Sequence, residues 1–88
     1  MNSLRYATPY SPSRRERLEL DPLTHRQLQC LHWAAAGKSS TDIGAILGLS
    51  ARTVDDHLAA ACSRLNVRTR VQAVVRALSL QLIPQAMP

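Results

Sequence analysis

The chain contains no long apolar run and few aromatic residues. No stretch of its 88 residues approaches the roughly 20 consecutive apolar residues of a membrane-spanning helix, and residues 1–10 lack the apolar centre of a signal peptide. Aromatic residues make up 3% of the sequence, apolar residues as a whole 45%, and alanine is abundant. We therefore expect one small cytoplasmic domain with a core of closely approaching helices.

Cysteines are few, and the usual metal-ligand spacings are absent. Cys30 and Cys62 are far apart and lie within helical patterns, where cysteine behaves as a small apolar residue. The sequence contains no C-x-x-C pair and no H-x-x-x-H pair, and His57 is expected to be a packing or capping residue. Neither a glycine-rich phosphate loop nor a pair of carboxylates in a cleft is recognisable. These absences predict two reduced thiols, no metal, no cofactor and no catalysis.

Positive charge dominates what is present. Eleven Lys and Arg against six Asp and Glu give a formal net charge of +5 and an isoelectric point near 10.3. This balance favours nucleic acid as a partner over an acidic substrate or a membrane. Residues 1–20 combine prolines and serines with the run Arg14-Arg15-Glu16-Arg17, which predicts a flexible basic arm or linker. Residues 84–88 are expected to be a disordered tail.

Apolar periodicity and repeated capping signals predict an all-α domain of four helices over residues 21–83. Each helix follows a Ser or Thr that can serve as its N-cap: Thr24, Ser39, Ser50 and Thr69. The expected helices cover residues 25–36, 40–47, 51–66 and 70–82. In the second helix, Ile43, Ile46 and Leu47 form the expected buried face.

The junction of the second and third helices has the spacing of a helix-turn-helix. Gly44 allows close approach of the next helix, and Gly48 can take the left-handed conformation that ends a helix. Val54, six residues later, would fill the angle between the two helices. In such a motif the second of the two helices enters the major groove of DNA.

The fourth helix is apolar around most of its circumference. In so small a domain, an arc this wide needs two neighbours, its own core and a second chain. We therefore expect dimerisation through this helix, at the following residues: Val71, Val74, Val75, Leu78 and Leu82.

Several short motifs together resemble the LuxR-type DNA-binding domain over roughly residues 21–83. The motifs are the following: Leu23-Thr24-x-Arg26, Leu31-x-Trp33-x-Ala35-x-Gly37-Lys38, Asp42-Ile43, Ile46-Leu47, Ser50, Thr53-Val54-x-x-His57-Leu58, Arg64-Leu65 and Gln72-Ala73. Trp33 together with Gly37-Lys38 is most similar to the quorum-sensing branch of that family. The resemblance implies a bacterial, nucleoid-associated transcription regulator whose third helix contacts double-stranded DNA and whose fourth helix forms a homodimer.

The resemblance also implies which residues contact DNA. Phosphate contacts are expected from the regions around the starts of helices 2, 3 and 4: Lys38, Ser39, Ser40, Thr41, Ser50, Arg52, Thr53, Arg64, Arg68, Thr69 and Arg70. The positions that read bases correspond here to Asp55, Asp56 and Ala59. A carboxylate repels phosphates but accepts a hydrogen bond from cytosine, so base readout is possible. Alternatively, the two aspartates lie in the first turn of the third helix and have only the structural role of carboxylates at the positive end of its dipole.

A second function competes with direct regulation. A truncated LuxR-type protein could pair with a full-length regulator through the fourth helix and sequester it, with little DNA binding of its own. The acidic pair on the reading face and the short segment before the domain motivate this hypothesis. Because about twenty residues cannot form the ligand-binding domain of quorum-sensing relatives, we expect no small-molecule ligand in this chain.

Overall fold

The computed structural model describes residues 23–84. It contains four helices, α1 (His25–Ala35), α2 (Ser40–Leu47), α3 (Ala51–Leu65) and α4 (Arg70–Ser79), and within the described range every regular element is a helix. This confirms the all-α prediction. The arm predicted for residues 1–20 and all of the predicted tail except Pro84 lie outside the described residues.

Side-chain caps define the start of each helix, as the sequence predicts. At α1 the Thr24 hydroxyl accepts the Gln27 amide at 3.1 Å, and the Gln27 side-chain oxygen accepts the Thr24 amide at 3.0 Å. The same reciprocal capping box occurs at two further helices, begun by Ser39 with Asp42 and by Thr69 with Gln72. At α3 the Ser50 hydroxyl accepts the Thr53 amide at 3.0 Å. These bonds satisfy amides that have no partner inside a helix.

The turn between α2 and α3 depends on the two glycines. Gly48 ends α2 with a left-handed φ of 74°, and the Leu49 amide donates to the Gly44 carbonyl at 2.8 Å. A Cβ atom on Gly44 would overlap the backbone carbonyl oxygen of Leu49. Val54 is completely buried where the two helices meet. The predicted roles of Gly44, Gly48 and Val54 are therefore confirmed.

The core has α3 at its centre. This helix packs against α1, α2 and α4, and α1 also contacts α2 and α4. Every helix contributes to the buried apolar cluster, which consists of the following residues: Leu23, Cys30, Leu31, Ile43, Val54, Leu58, Ala61, Leu65, Ala73, Ala77, Leu80 and Ile83. Because three helices surround α3, the side that remains exposed is its outer face.

The predicted end of the fourth helix, at residue 82, is wrong. The helix ends at Ser79, and Gln81 adopts a left-handed φ of 61°. The Leu82 amide donates to the Ala77 carbonyl at 2.8 Å, a bond typical of a Schellman turn at a helix C-terminus. The turn leads Leu80 and Ile83 into the core, where they are 1% and 6% exposed. Apolar spacing alone did not distinguish this turn from a further turn of helix.

The predicted burial of Ile46 is also wrong. Its side chain is 45% exposed, whereas Ile43 is completely buried and Leu47 is half-buried. The helix is only eight residues long, and it packs against α1 and α3 along one side. Ile46 lies beyond the edge of that contact. The first and third helices each end one residue earlier than predicted, at Ala35 and Leu65.

Candidate nucleic-acid interface

The outer face of α3 presents the residues predicted to read bases. Asp55, Asp56 and Ala59 are all exposed, because the opposite face of the same helix packs in the core. A spacing of four residues places Asp55 and Ala59 one turn apart on the same side. The face therefore offers two carboxylates and a methyl group.

The residues predicted to contact phosphates lie mostly at the surface. Eight of them are exposed: Lys38, Ser39, Thr41, Ser50, Arg52, Arg64, Arg68 and Thr69. Three are half-buried: Ser40, Thr53 and Arg70. Arg64 lies in the last turn of α3. The others lie near the starts of α2, α3 and α4, beside the outward-pointing amides and the positive ends of three helices, which favour anions.

Several of these hydroxyl groups also have a structural role. Ser39, Ser50 and Thr69 cap α2, α3 and α4 respectively. The Ser50 hydroxyl additionally donates to the Thr53 hydroxyl oxygen at 2.9 Å. Acceptance of one amide leaves a hydroxyl oxygen with a second lone pair and its own proton. Capping therefore orients these side chains without excluding a further contact.

Ser40, Asp55 and Arg70 form a side-chain cluster that joins three helices. The Ser40 hydroxyl donates to Asp55 Oδ1, and Arg70 Nη2 donates to the Ser40 hydroxyl oxygen. Arg70 Nη2 also lies 3.3 Å from Asp55 Oδ1 and forms an ion pair with it. Ser40 and Arg70 are the first residues of α2 and α4, whereas Asp55 belongs to the outer face of α3. The starts of α2 and α4 therefore meet at the outer face of α3.

Sequence reasoning missed this cluster. Its members are separated by 15 and 30 residues along the chain, so no helical spacing connects them. The opposite charges of Asp55 and Arg70 were the only available signal, and such a signal does not identify a pair. The alternative role proposed for Asp55 and Asp56 is also wrong, because the first turn of α3 contains no acidic residue. The cap at Ser50 places both aspartates beyond that turn.

A second interaction orders the connection from α3 to α4. The Gln72 side-chain oxygen accepts the Arg68 amide at 3.0 Å and the Thr69 amide at 3.1 Å. The capping box of Thr69 and Gln72 thus extends one residue further, to the Arg68 amide. It holds the backbone at Arg68 and Thr69, two of the predicted phosphate contacts, in one conformation.

Both cysteines of the described region are free thiols. Cys30 is completely buried, and burial raises the pKa of its thiol while the positive charges of Arg26 and Arg70 oppose that rise. The Cys62 thiol donates to the Thr69 carbonyl at 3.5 Å. Within residues 23–84, no three side chains of the metal-ligating types come together. None of the helices in this range is long and apolar enough to cross a membrane.

The exposed side of α4 carries part of the predicted dimer surface. Val71 and Val75, one turn apart, are 70% and 59% exposed. Together with Val67 and Leu80 they line an open groove that Gln72, Arg76 and Ser79 complete. The other predicted dimer residues, Val74, Leu78 and Leu82, are half-buried and pack against the core.

A tight turn from α2 into α3, with α3 packed across the other helices and its outer side exposed, defines a helix-turn-helix protein. The sequence profile named GerE, for bacterial regulatory proteins of the luxR family, matches residues 21–77. The chain belongs to this family. Its members are DNA-binding transcription regulators, which confirms the family resemblance seen in the sequence and the general class of function.

Curated relatives and a solved structure agree with this assignment. The transcriptional activator LuxR of Aliivibrio fischeri is 50% identical over 56 residues, which cover 64% of this chain and 22% of that protein. The quorum sensing-dependent regulator RpaR of Rhodopseudomonas palustris is 41% identical over 80 residues, or 91% of this chain and 31% of that protein. The structure of the transcription factor GerE is similar with a TM-score of 0.67 and 29% identity, over 70% of this chain and 92% of that chain.

The two regulators are much longer than the matching region. This chain spans less than a third of either protein. The matched region is therefore the helix-turn-helix domain. The remaining length of either regulator lies outside the match.

Proposed function

We propose that the chain is a sequence-specific transcription regulator that inserts α3 into the DNA major groove and forms a homodimer through α4. The observation that supports this proposal best is the position of Ser40 and Arg70 against Asp55. Their contact brings the starts of α2 and α4 to the outer face of α3. A duplex on that face would meet phosphate ligands from neighbouring helices beside the reading residues.

The proposed phosphate ligands combine charge with ordered backbone. Arg52 and Arg68 are exposed cations, and Gln72 fixes the backbone amide of Arg68. Hydroxyl groups and amides at the helix starts would add neutral donors to the same phosphate oxygens. On the reading face, Asp56 would accept from a cytosine amino group and Ala59 would contact a thymine methyl group.

The proposed dimer would bring together two copies of the α4 groove. Val71 and Val75 present the two most exposed large apolar side chains among the described residues. Burial of both against a symmetry-related copy would remove apolar surface from water. Two copies of α3 would then meet half-sites about one DNA turn apart.

The test is a DNA-binding titration followed by fluorescence anisotropy, with a random-sequence duplex pool and a salt series. We expect the affinity of the wild-type protein to fall roughly a thousandfold between about 50 and 200 mM salt if six or more phosphates are contacted. Sequences enriched from the pool would show whether the site is a palindrome. Absence of binding even at about 50 mM salt would contradict the proposal and would favour sequestration of another regulator through α4.

Single arginine variants locate the phosphate contacts. Replacement of Arg52 or Arg68 by alanine should weaken binding to every duplex and reduce the slope of log K against log salt by ~0.9. Arg26→Ala is the matched control, because it removes the same charge from an exposed position on α1, outside the helix-turn-helix. An equal change in slope for Arg26→Ala would mean that only net charge is being measured.

A further inference from the structure

Three residues predicted to contact DNA contact one another in the single chain. Ser40 and Arg70 were expected on phosphates and Asp55 on a base, yet the Asp55 carboxylate accepts from both of the others. By contrast, no hydrogen bond or ion pair of Asp56 occurs within the described residues, although it is the next residue on the same exposed face. Two adjacent aspartates therefore have different roles.

We propose that Asp55 is an internal competitor of DNA for Ser40 and Arg70, so that its carboxylate lowers affinity for every duplex instead of reading a base. This inference rests on the proposed DNA-binding function. A carboxylate oxygen and a phosphate oxygen accept the same charge-assisted hydrogen bonds. Arg70 Nη2 and the Ser40 hydroxyl proton already have such an acceptor in Asp55 Oδ1. A phosphate oxygen would have to replace it.

The exposure of the cluster makes this exchange possible without unfolding. The side chain of Asp55 is 61% exposed and that of Arg70 is 38% exposed, so both can turn towards solvent or DNA. An ion pair this accessible contributes little, and competition should therefore cost up to about fivefold in affinity. Base readout predicts a different result, because removal of a base contact changes affinity on some sequences and not on others.

The decisive experiment compares Asp55→Asn with Asp56→Asn by anisotropy on several unrelated duplexes. Both variants remove one negative charge from neighbouring positions of the same face, so general electrostatic attraction should rise equally in both. If Asp55 competes for Arg70, Asp55→Asn should raise affinity further than Asp56→Asn, by up to about fivefold. That additional gain should be the same on each duplex.

The salt dependence tests the role of Arg70 directly. In the wild-type background, Arg70→Ala should reduce the slope of log K against log salt by ~0.9, as Arg68→Ala does, because a phosphate replaces Asp55 as the acceptor of Arg70. In the Arg70→Ala background, the additional gain of Asp55→Asn over Asp56→Asn should shrink, because the carboxylate then has no guanidinium to withhold from DNA. Circular dichroism and thermal melting of each variant would establish that the fold is retained.

The possible outcomes separate this inference from the proposed function. Equal gains for Asp55→Asn and Asp56→Asn would overturn the inference while leaving DNA binding intact. A loss of affinity on all duplexes with Asp55→Asn would also overturn it, since the carboxylate would then orient Arg70 for DNA. A change restricted to some sequences would restore Asp55 as a base reader. Failure of the wild type and all variants to bind DNA would overturn the proposed function as well.

Discussion

Replacement of Val71 and Val75 by serine should prevent dimerisation with little effect on the fold. The two side chains are 70% and 59% exposed in the single chain, so their truncation removes little of the core. If a second copy covers them, each valine contributes burial that is absent from the monomer. The double variant therefore tests the interface separately from stability.

The size of the effect follows from the exposed area. Complete burial of an exposed valine contributes about 1.5 kcal/mol at the lower end of the usual range. Scaled by the exposed fractions of Val71 and Val75, this is about 2 kcal/mol per subunit and about 4 kcal/mol per symmetric dimer. The dimer dissociation constant should therefore rise by up to roughly a thousandfold.

Sedimentation equilibrium over a range of protein concentrations measures this change. Ile46→Ser is the matched control, because it shortens another exposed apolar side chain, 45% exposed, on α2. We expect the control to dimerise as the wild type does. A wild-type protein that stays monomeric at its highest soluble concentration would refute the reasoning. An equal loss of dimer in Ile46→Ser would do so too.

Two further predictions concern the fold itself. Gly44→Ala should lower the urea midpoint of unfolding, because overpacking against the Leu49 carbonyl costs about 1–3 kcal/mol and exceeds the gain in helix propensity of up to ~1 kcal/mol. The comparison variant, Gly48→Ala, has open space around its Cβ atom and should lose only the ~1 kcal/mol of its left-handed conformation. A Gly44→Ala variant that is more stable than the wild type would contradict this account. Burial raises the pKa of the Cys30 thiol, so the unfolded chain loses that proton first as the pH rises, and the free energy of unfolding should fall above the ordinary pKa of a thiol. Denaturation measured over a series of pH values should show a smaller fall in the unfolding free energy of Cys30→Ala than of the wild type. An identical pH dependence of the two proteins would refute the assignment.

Local features of the sequence were sufficient to determine the helices and the turn. A capping serine or threonine and its partner lie three residues apart, so bonds such as that from the Gln27 amide to Thr24 follow from spacing alone. The same holds for Gly48, since only its own backbone conformation ends α2. Periodicity likewise predicted that Ile43 would be buried.

Tertiary structure decided where the apolar pattern was ambiguous. Four of the six residues 78–83 are apolar, and either a longer helix or a turn into the core would bury some of them. Packing of Leu80 and Ile83 against the other helices selected the turn. In the same way, the narrow contact of α2 left Ile46 exposed, which no count of spacing within that helix could reveal.

The role of Asp55 was likewise decided only by the folded chain. Its partners lie 15 residues away on either side in sequence, at Ser40 and Arg70. Sequence reasoning identified all three as candidate DNA contacts, since each belongs to a suitable helix start or face. It did not reveal that packing of α2 and α4 against α3 brings them together. Local hydrogen bonds are determined by neighbours along the chain, whereas a long-range ion pair exists only once the helices have packed.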